Sequence, residues 1–145
     1  MSIGSTAVCA ARTDDSLWCW GNAAYGQTGI SGASGNVTTP TAGPAGSWSS
    51  VSVGDTHTCG IKTDGTLWCW GENLNGGIGD GTTTNRPTPV AITATGVTTW
   101  ASVSAGFYNT CAVADTGTYA GGLFCWGYNI NGQLGDGTTT NRNSP

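Results

Sequence analysis

Charge is what this 145-residue sequence has least of. Four Lys plus Arg stand against eight Asp plus Glu, for a net charge of −4. So few cations exclude a face that neutralises nucleic-acid phosphates, and no nucleic-acid partner is expected. A single His and no Cys-x-x-Cys spacing give no zinc ligand set, so no metal is expected. No apolar run approaches the roughly 18 residues that cross a bilayer, so no membrane insertion is expected. No charged segment followed by an apolar one opens the chain. No stretch of ten residues combines helical period with good helix formers. Also missing are recurring paired carboxylates, a phosphate-cradling Gly-Lys-Ser/Thr loop and a nucleophile elbow. Catalysis is therefore not expected, and neither is a cofactor.

Glycine, tryptophan and cysteine are what is there: 25, 7 and 6 residues. Low charge with many aromatics is the opposite of a disordered composition. The length suits one domain, 1–145, burying roughly 68–70% of its unfolded surface. The chain repeats itself. Val8-Cys9-Ala10 to Leu17-Trp18-Cys19-Trp20-Gly21 returns as Thr58-Cys59-Gly60 to Leu67-Trp68-Cys69-Trp70-Gly71. A third copy runs from Thr110-Cys111-Ala112 to Leu123-Phe124-Cys125-Trp126-Gly127, lengthened around Gly117–Gly122. Gly79-Asp80-Gly81-Thr82-Thr83-Thr84-Asn85-Arg86 returns identically at Gly135–Arg142. A period near 50 residues means a propeller or another array. The repeats divide as 1–47 (partial), 48–99 and 100–145 (partial).

Each unit reads as strands. Trp48–Gly54 alternates, and Cys59–Ile61 and Leu67–Trp70 flank Thr63-Asp64-Gly65-Thr66, a hairpin turn. Pro87 and Pro89 cannot donate to a central ladder, so Pro87–Ile92 reads as an outer strand. Trp48 and Trp100 are expected to begin the first strands of their units. The hairpin centred on Asp64 sets Cys59 opposite Cys69. Facing Cβ atoms lie about 4.5–5.5 Å apart, close enough to bridge with slight adjustment. Cys9 and Cys19 repeat this geometry, as do Cys111 and Cys125 if the extra residues stay in the loop. Matched partners in an even set favour three disulfides over six buried thiols. Disulfides imply an oxidising compartment: extracellular, or a cell or virion surface.

The series Trp-x-x-Val-Ser-x-Gly, Thr-Cys-Ala, Leu-Trp-Cys-Trp-Gly-x-Asn, Gly-Gln-Leu-Gly-Asp-Gly-Thr resembles the repeat of the regulator of chromosome condensation family. It stands here as Trp100–Gly106, Thr110–Val113, Phe124–Asn129 and Gly132–Thr138. The resemblance covers essentially the whole chain, except that Ile30–Pro44 replaces the Gly-Asp-Gly-Thr block in the first copy. It implies an all-β fold of about three four-stranded β-propeller blades, in a family whose members typically have seven. Three blades do not close a ring. The chain is expected to be part of a longer one or to close by oligomerisation, most simply as a homo-oligomer. Low charge, few Lys and paired cysteines look more like an extracellular bacterial or phage-associated protein than a cytosolic regulator.

The repeated Trp residues read as blade-to-blade packing. Tyr25, Leu74, Phe107, Tyr108 and Ile130 vary between copies and fall in loops, which makes them the binding candidates. His57 corresponds to Ala7 and Asn109 and reads as a surface or turn residue. Asp80 and Asp136 suggest turns satisfying their own backbone more than a calcium loop, which would need alternating acids and a terminal Glu. Arg86 and Arg142 are placed to brace that loop against a carboxylate. The expected function is non-catalytic recognition of a protein partner, or of another copy, by loops at Asn22–Gln27, Asn73–Gly77, Phe107–Asn109 and Asn129–Gln133. The resemblance implies two alternatives. One is nucleotide exchange on a small GTPase, for which family members use a full ring and an inserted wedge not visible here. The other is enzyme inhibition, as in secreted relatives that cap β-lactamases.

Overall fold

A computed structural model describes residues 1–145, built of strands and turns alone. The strands are β1 (Ser2–Ile3), β2 (Ala7–Ala11), β3 (Leu17–Asn22), β4 (Asn36–Ala42), β5 (Trp48–Val53), β6 (His57–Lys62), β7 (Leu67–Gly71), β8 (Arg86–Ile92), β9 (Val97–Ala105), β10 (Asn109–Gly117) and β11 (Leu123–Gly127). They form three antiparallel meanders, β1–β4, β5–β8 and β9–β11. In the third, a Gly127–Arg142 bridge stands where β3 and β7 begin pairing with their outer strands. The sheets are three successive blades of an open propeller arc.

The hairpins follow from local chemistry. In β6–β7, Lys62 N–H donates to Thr66 O and Gly65 N–H to Lys62 O, closing a three-residue loop. Such loops need a left-handed third residue, and Gly65 supplies it at φ +81°. The first copy puts Asp15 there, at φ +62°. The Asp64 carboxylate accepts from Thr66 N–H and its hydroxyl, and Trp68 Nε1–H donates to that same Oγ1. Asp14, Ser16 and Trp18 repeat the set.

Cys59 pairs with Cys69 in register, as do Cys9 with Cys19 and Cys111 with Cys125. Ladder bonds at Lys62–Thr66 and at Glu72–Thr56 fix the parity, so Cys59 and Cys69 occupy a non-hydrogen-bonded pair, where side chains lie closest. All three pairs are disulfides, with Cα atoms 4.2, 4.0 and 4.1 Å apart. The four extra residues of the third copy stay beyond Cys111 and Cys125. They lengthen β10, whose Thr116 and Gly117 pair with Thr99 and Val97 through bulges. The first strand of that blade therefore begins at Val97 and not at Trp100, because the longer hairpin gives it more partner to pair with.

Alternation decides which blade each side chain meets. The Cys9–Cys19 face, with Leu17, packs under Trp48 and Trp70 of the second blade. The Cys59–Cys69 face, with Ile61 and Leu67, packs under Trp100 and Trp126 of the third. Each joint is also tied by polar contacts. Trp48 N–H donates to Asp15 O at 2.8 Å and Trp100 N–H to Gly65 O at 2.9 Å, so a hairpin tip holds the next blade's first strand. Trp70 Nε1–H and the Thr58 hydroxyl both donate to Gln27 O, and Trp126 and Thr110 repeat this onto Gly77 O. The first strands are linked as well: Val53 N–H donates to Ser2 Oγ and Ala105 N–H to Ser52 Oγ. They line the inside of the arc, while proline-bearing β4 and β8 form its outer edges.

Candidate interaction face

One end of the blades carries long loops, and a buried polar frame holds them still. Asn73 stands two residues after Gly71, at the head of its loop. Its Nδ2 donates to Asp80 Oδ1 and Thr82 O, while its Oδ1 accepts from Ile78 N–H. Asp80 accepts from Thr82 N–H and hydroxyl, an Asx-turn, and from Arg86 Nε. Asn129, Asp136, Thr138 and Arg142 build the same frame in the third blade. There the Thr138 hydroxyl is the main force holding the Asp136 carboxyl down to about 2. The bracing role read for Arg86 and Arg142 is what the structure contains. These carboxylates are occupied by their own loops, and no three His, Cys, Asp or Glu side chains converge as a metal would require.

The turns β5–β6 and β9–β10 open at this same end, since His57 pairs with Gly71 and Asn109 with Gly127. Over the joint between the second and third blades they meet the long loops in a narrow cleft, closed too tightly to hold a water molecule. Thr56, His57, Glu72, Leu74, Asn75, Gly77 and Tyr108 line it. Aromatic rings continue outward from it. Phe107 lies edge-on to Tyr108 at 4.3 Å, and Tyr108 to Tyr128 at 6.1 Å. Leu74 is 65% and Phe107 58% exposed, large apolar side chains held in water by a fixed frame. Of the five residues singled out in the sequence, the cleft thus gathers Leu74 and Tyr108, with Phe107 beside them. Tyr25 and Ile130 are exposed on the loops of the first and third blades and do not line it.

His57 corrects its sequence reading: it is 1% exposed, not a surface residue. It opens β6 beneath the third blade, and its Nε2 lies 2.7 Å from Thr110 Oγ1. The Thr110 hydroxyl gives its proton to Gly77 O, so His57 must donate from Nε2. Burial pulls its pKa from 6.5 down to about 4, so the ring is neutral at pH 7. It forms a floor to the cleft. Two more residues of this face, Glu72 and Tyr128, were not singled out from the sequence. They occupy one repeat position, just after the Trp-Gly pair, which Asn22 fills in the first copy. That variation beside an invariant pair was the available signal.

Three antiparallel blades joined by indole packing, with loops framed at one end, define a β-propeller repeat scaffold. The chain belongs to the regulator of chromosome condensation (RCC1) repeat family: models of that repeat match residues 48–76 and 100–133, and residues 64–113. Solved structures agree. Human WBSCR16 superposes with a TM-score of 0.84 at 25% identity, over 97% of this chain and 36% of its own. Yeast RCC1 (Prp20), solved with Kap60, gives 0.81 at 24% identity, over 99% of this chain and 35% of its own. Prp20p from Saccharomyces cerevisiae, described with its binding to Gsp1p and histones, gives 0.82 at 24% identity, over 99% and 36%. The chain thus spans about a third of the length of these structures.

Proposed function

We propose that this chain is a non-catalytic protein-recognition module whose partner docks on the loop face. The observation that carries this reading is the cluster of exposed Leu74 and Phe107 with half-buried Tyr108 and Tyr128, on loops that their own hydrogen bonds hold in place. Rigid aromatic anchors cost little ordering on binding, which is why such residues dominate protein interfaces. The three disulfides and the scarcity of Lys support an oxidising site of action, extracellular or on a cell or virion surface. Exchange on a small GTPase has its support in the binding of Prp20p to Gsp1p alone, and enzyme inhibition in the loop aromatics alone.

Self-association belongs to the same reading. The forward face of the third blade carries the disulfide and leucine that indoles cover at the two internal joints, and the rear face of the first carries Trp20, the counterpart of Trp70 and Trp126. Leu123 is 69% exposed where its counterparts Leu17 and Leu67 are 2% and 1%. Such faces take further blades, from a second copy or from more of the same chain.

A photo-crosslinking residue at position 107 tests the docking face, with the same residue at position 64, at the opposite end, as control. A discrete protein adduct from 107 and none from 64 is expected in the native extracellular fraction. Equal or absent labelling at the two positions would overturn the reading.

A further inference from the structure

Lys62 carries the one cation that the chain leaves without a carboxylate. Arg12 is paired with Asp14, Arg86 with Asp80 and Arg142 with Asp136. Asp64, two residues beyond Lys62, accepts from Thr66 instead. Yet Lys62 is not a loose surface side chain. Its ammonium stands 4.0 Å from the centre of the Trp68 ring and 5.4 Å from that of Trp48. Its stem lies along Gly46, where a Cβ would come within 3.2 Å of Lys62 Cε. Indole faces attract an ammonium in their own right, so packing sets the cation in place before any ligand arrives. A group already ordered loses less freedom when it binds.

The cation lines a pocket of about 360 Å³ at the joint between the first and second blades, on the outer side of the arc. Small-molecule sites begin at about 300 Å³ and combine apolar walls with a few converging polar groups. Here Pro44, Pro89 and Trp68 supply the apolar walls. Ser31 from one blade and Thr88 from the other bring exposed hydroxyls that no group of the chain engages. The next joint does not repeat this arrangement. Thr98 and Ala114 stand there in place of Gly46 and Lys62, and Phe124 replaces Trp68, with Tyr119 edge-on to it at 6.2 Å.

We propose that this pocket binds an acidic sugar residue, a uronic acid, with its carboxylate on Lys62, its hydroxyls on Ser31 and Thr88, and the apolar face of its ring on Pro44 and Pro89. The unpaired ammonium calls for an anion. Two free hydroxyls beside apolar walls call for a body that is hydroxylated at its edge and apolar on its face, which a simple carboxylate lacks. A net charge of −4 repels anions in general, so retention must come from these local contacts. The pocket belongs to the first joint and the loop cleft to the second, so this site does not depend on protein docking at the loop face.

The test is an NMR titration of the intact chain with three probes: methyl β-D-glucuronide, the neutral methyl β-D-glucoside, and propionate. The glucuronide is expected to move the amides of Ser31, Lys62 and Thr88 and the Trp68 indole N–H. It should bind at least about tenfold more tightly than either other probe, since only it offers both the charge and the hydroxyls. Lys62→Met keeps an apolar stem over the indoles and should erase the preference for glucuronide over glucoside. Thr88→Val should weaken the glucuronide alone. The three-probe comparison on the unaltered chain decides the matter even where a variant folds poorly. Glucuronide binding no tighter than glucoside, or shifts confined to Tyr108 and Tyr128 on the loop face, would overturn the proposal. So would propionate binding as tightly as glucuronide, which would reassign the pocket to acidic side chains of a protein. The crosslink at position 107 would be untouched by any of these results.

Discussion

At the scale of single residues, His57 is where the fold meets pH. The unfolded chain takes up a proton on this ring near pH 6.5, whereas the folded chain resists until about pH 4. The contribution of the neutral ring is therefore complete above about pH 6.5 and is lost as pH falls from there toward 4. The gap between the two values corresponds to about 3 kcal/mol, of which about 2 kcal/mol is gone by pH 5. Asp136, held at about 2, stays charged across this window and does not contribute to the change. His57→Asn, which installs the residue that Asn109 supplies in the third copy, should flatten the dependence. Urea midpoints at pH 7 and pH 5 decide it: the wild-type midpoint should fall, and that of the variant should hold. An equal fall in both would place the sensitive group elsewhere.

At the scale of elements, the β6–β7 hairpin shows what adjacency dictates. Its turn chemistry, its register and the Cys59–Cys69 pairing all follow from Asp64 lying midway between two cysteines. The same arithmetic works for Cys9 and Cys19 around Asp14. The disulfide then removes freedom from the unfolded chain, an effect of about 2–3 kcal/mol for a loop this short. Replacing both residues, Cys59→Ala with Cys69→Ala, should lower the unfolding free energy by that amount in urea titrations. A loss near zero would show that the strand ladder alone fixes this hairpin. The start of β9 at Val97 was not legible in the same way. It depends on how far β10 extends, and β10 lengthens only because residues were added beyond a cysteine pair that is local to it.

At the scale of the whole molecule, the joint between blades is the repeating unit of stability. Each joint covers a disulfide and a leucine with two indoles of the next blade, and each receives an indole N–H and a threonine hydroxyl on one backbone carbonyl. On the outward faces Leu123 of the third blade and Ile3 of the first stand in the open, which is a hazard of association. The 145-residue chain alone is expected to show, by light scattering after size exclusion, a mass above its 14.6 kDa that rises with concentration. Leu123→Ser, which blunts the forward face, should reduce it. A single mass of about 14.6 kDa at every concentration would overturn self-association and assign those faces to further blades of a longer chain.

What the sequence determined by itself was everything that depends on neighbours along the chain. Strand alternation, the Asp-centred turns, the three cysteine pairs, the outer strands marked by proline and the family of the repeat all act over 14 residues or fewer, or by simple recurrence. The tertiary structure alone decided what lies between blades. His57 read as a surface residue because nothing near it in sequence buries it; Thr110, some fifty positions away, does. Leu74 and Tyr108 were legible as variable loop residues. That they share one cleft with Glu72 follows only when two loops a repeat apart are brought over the same joint.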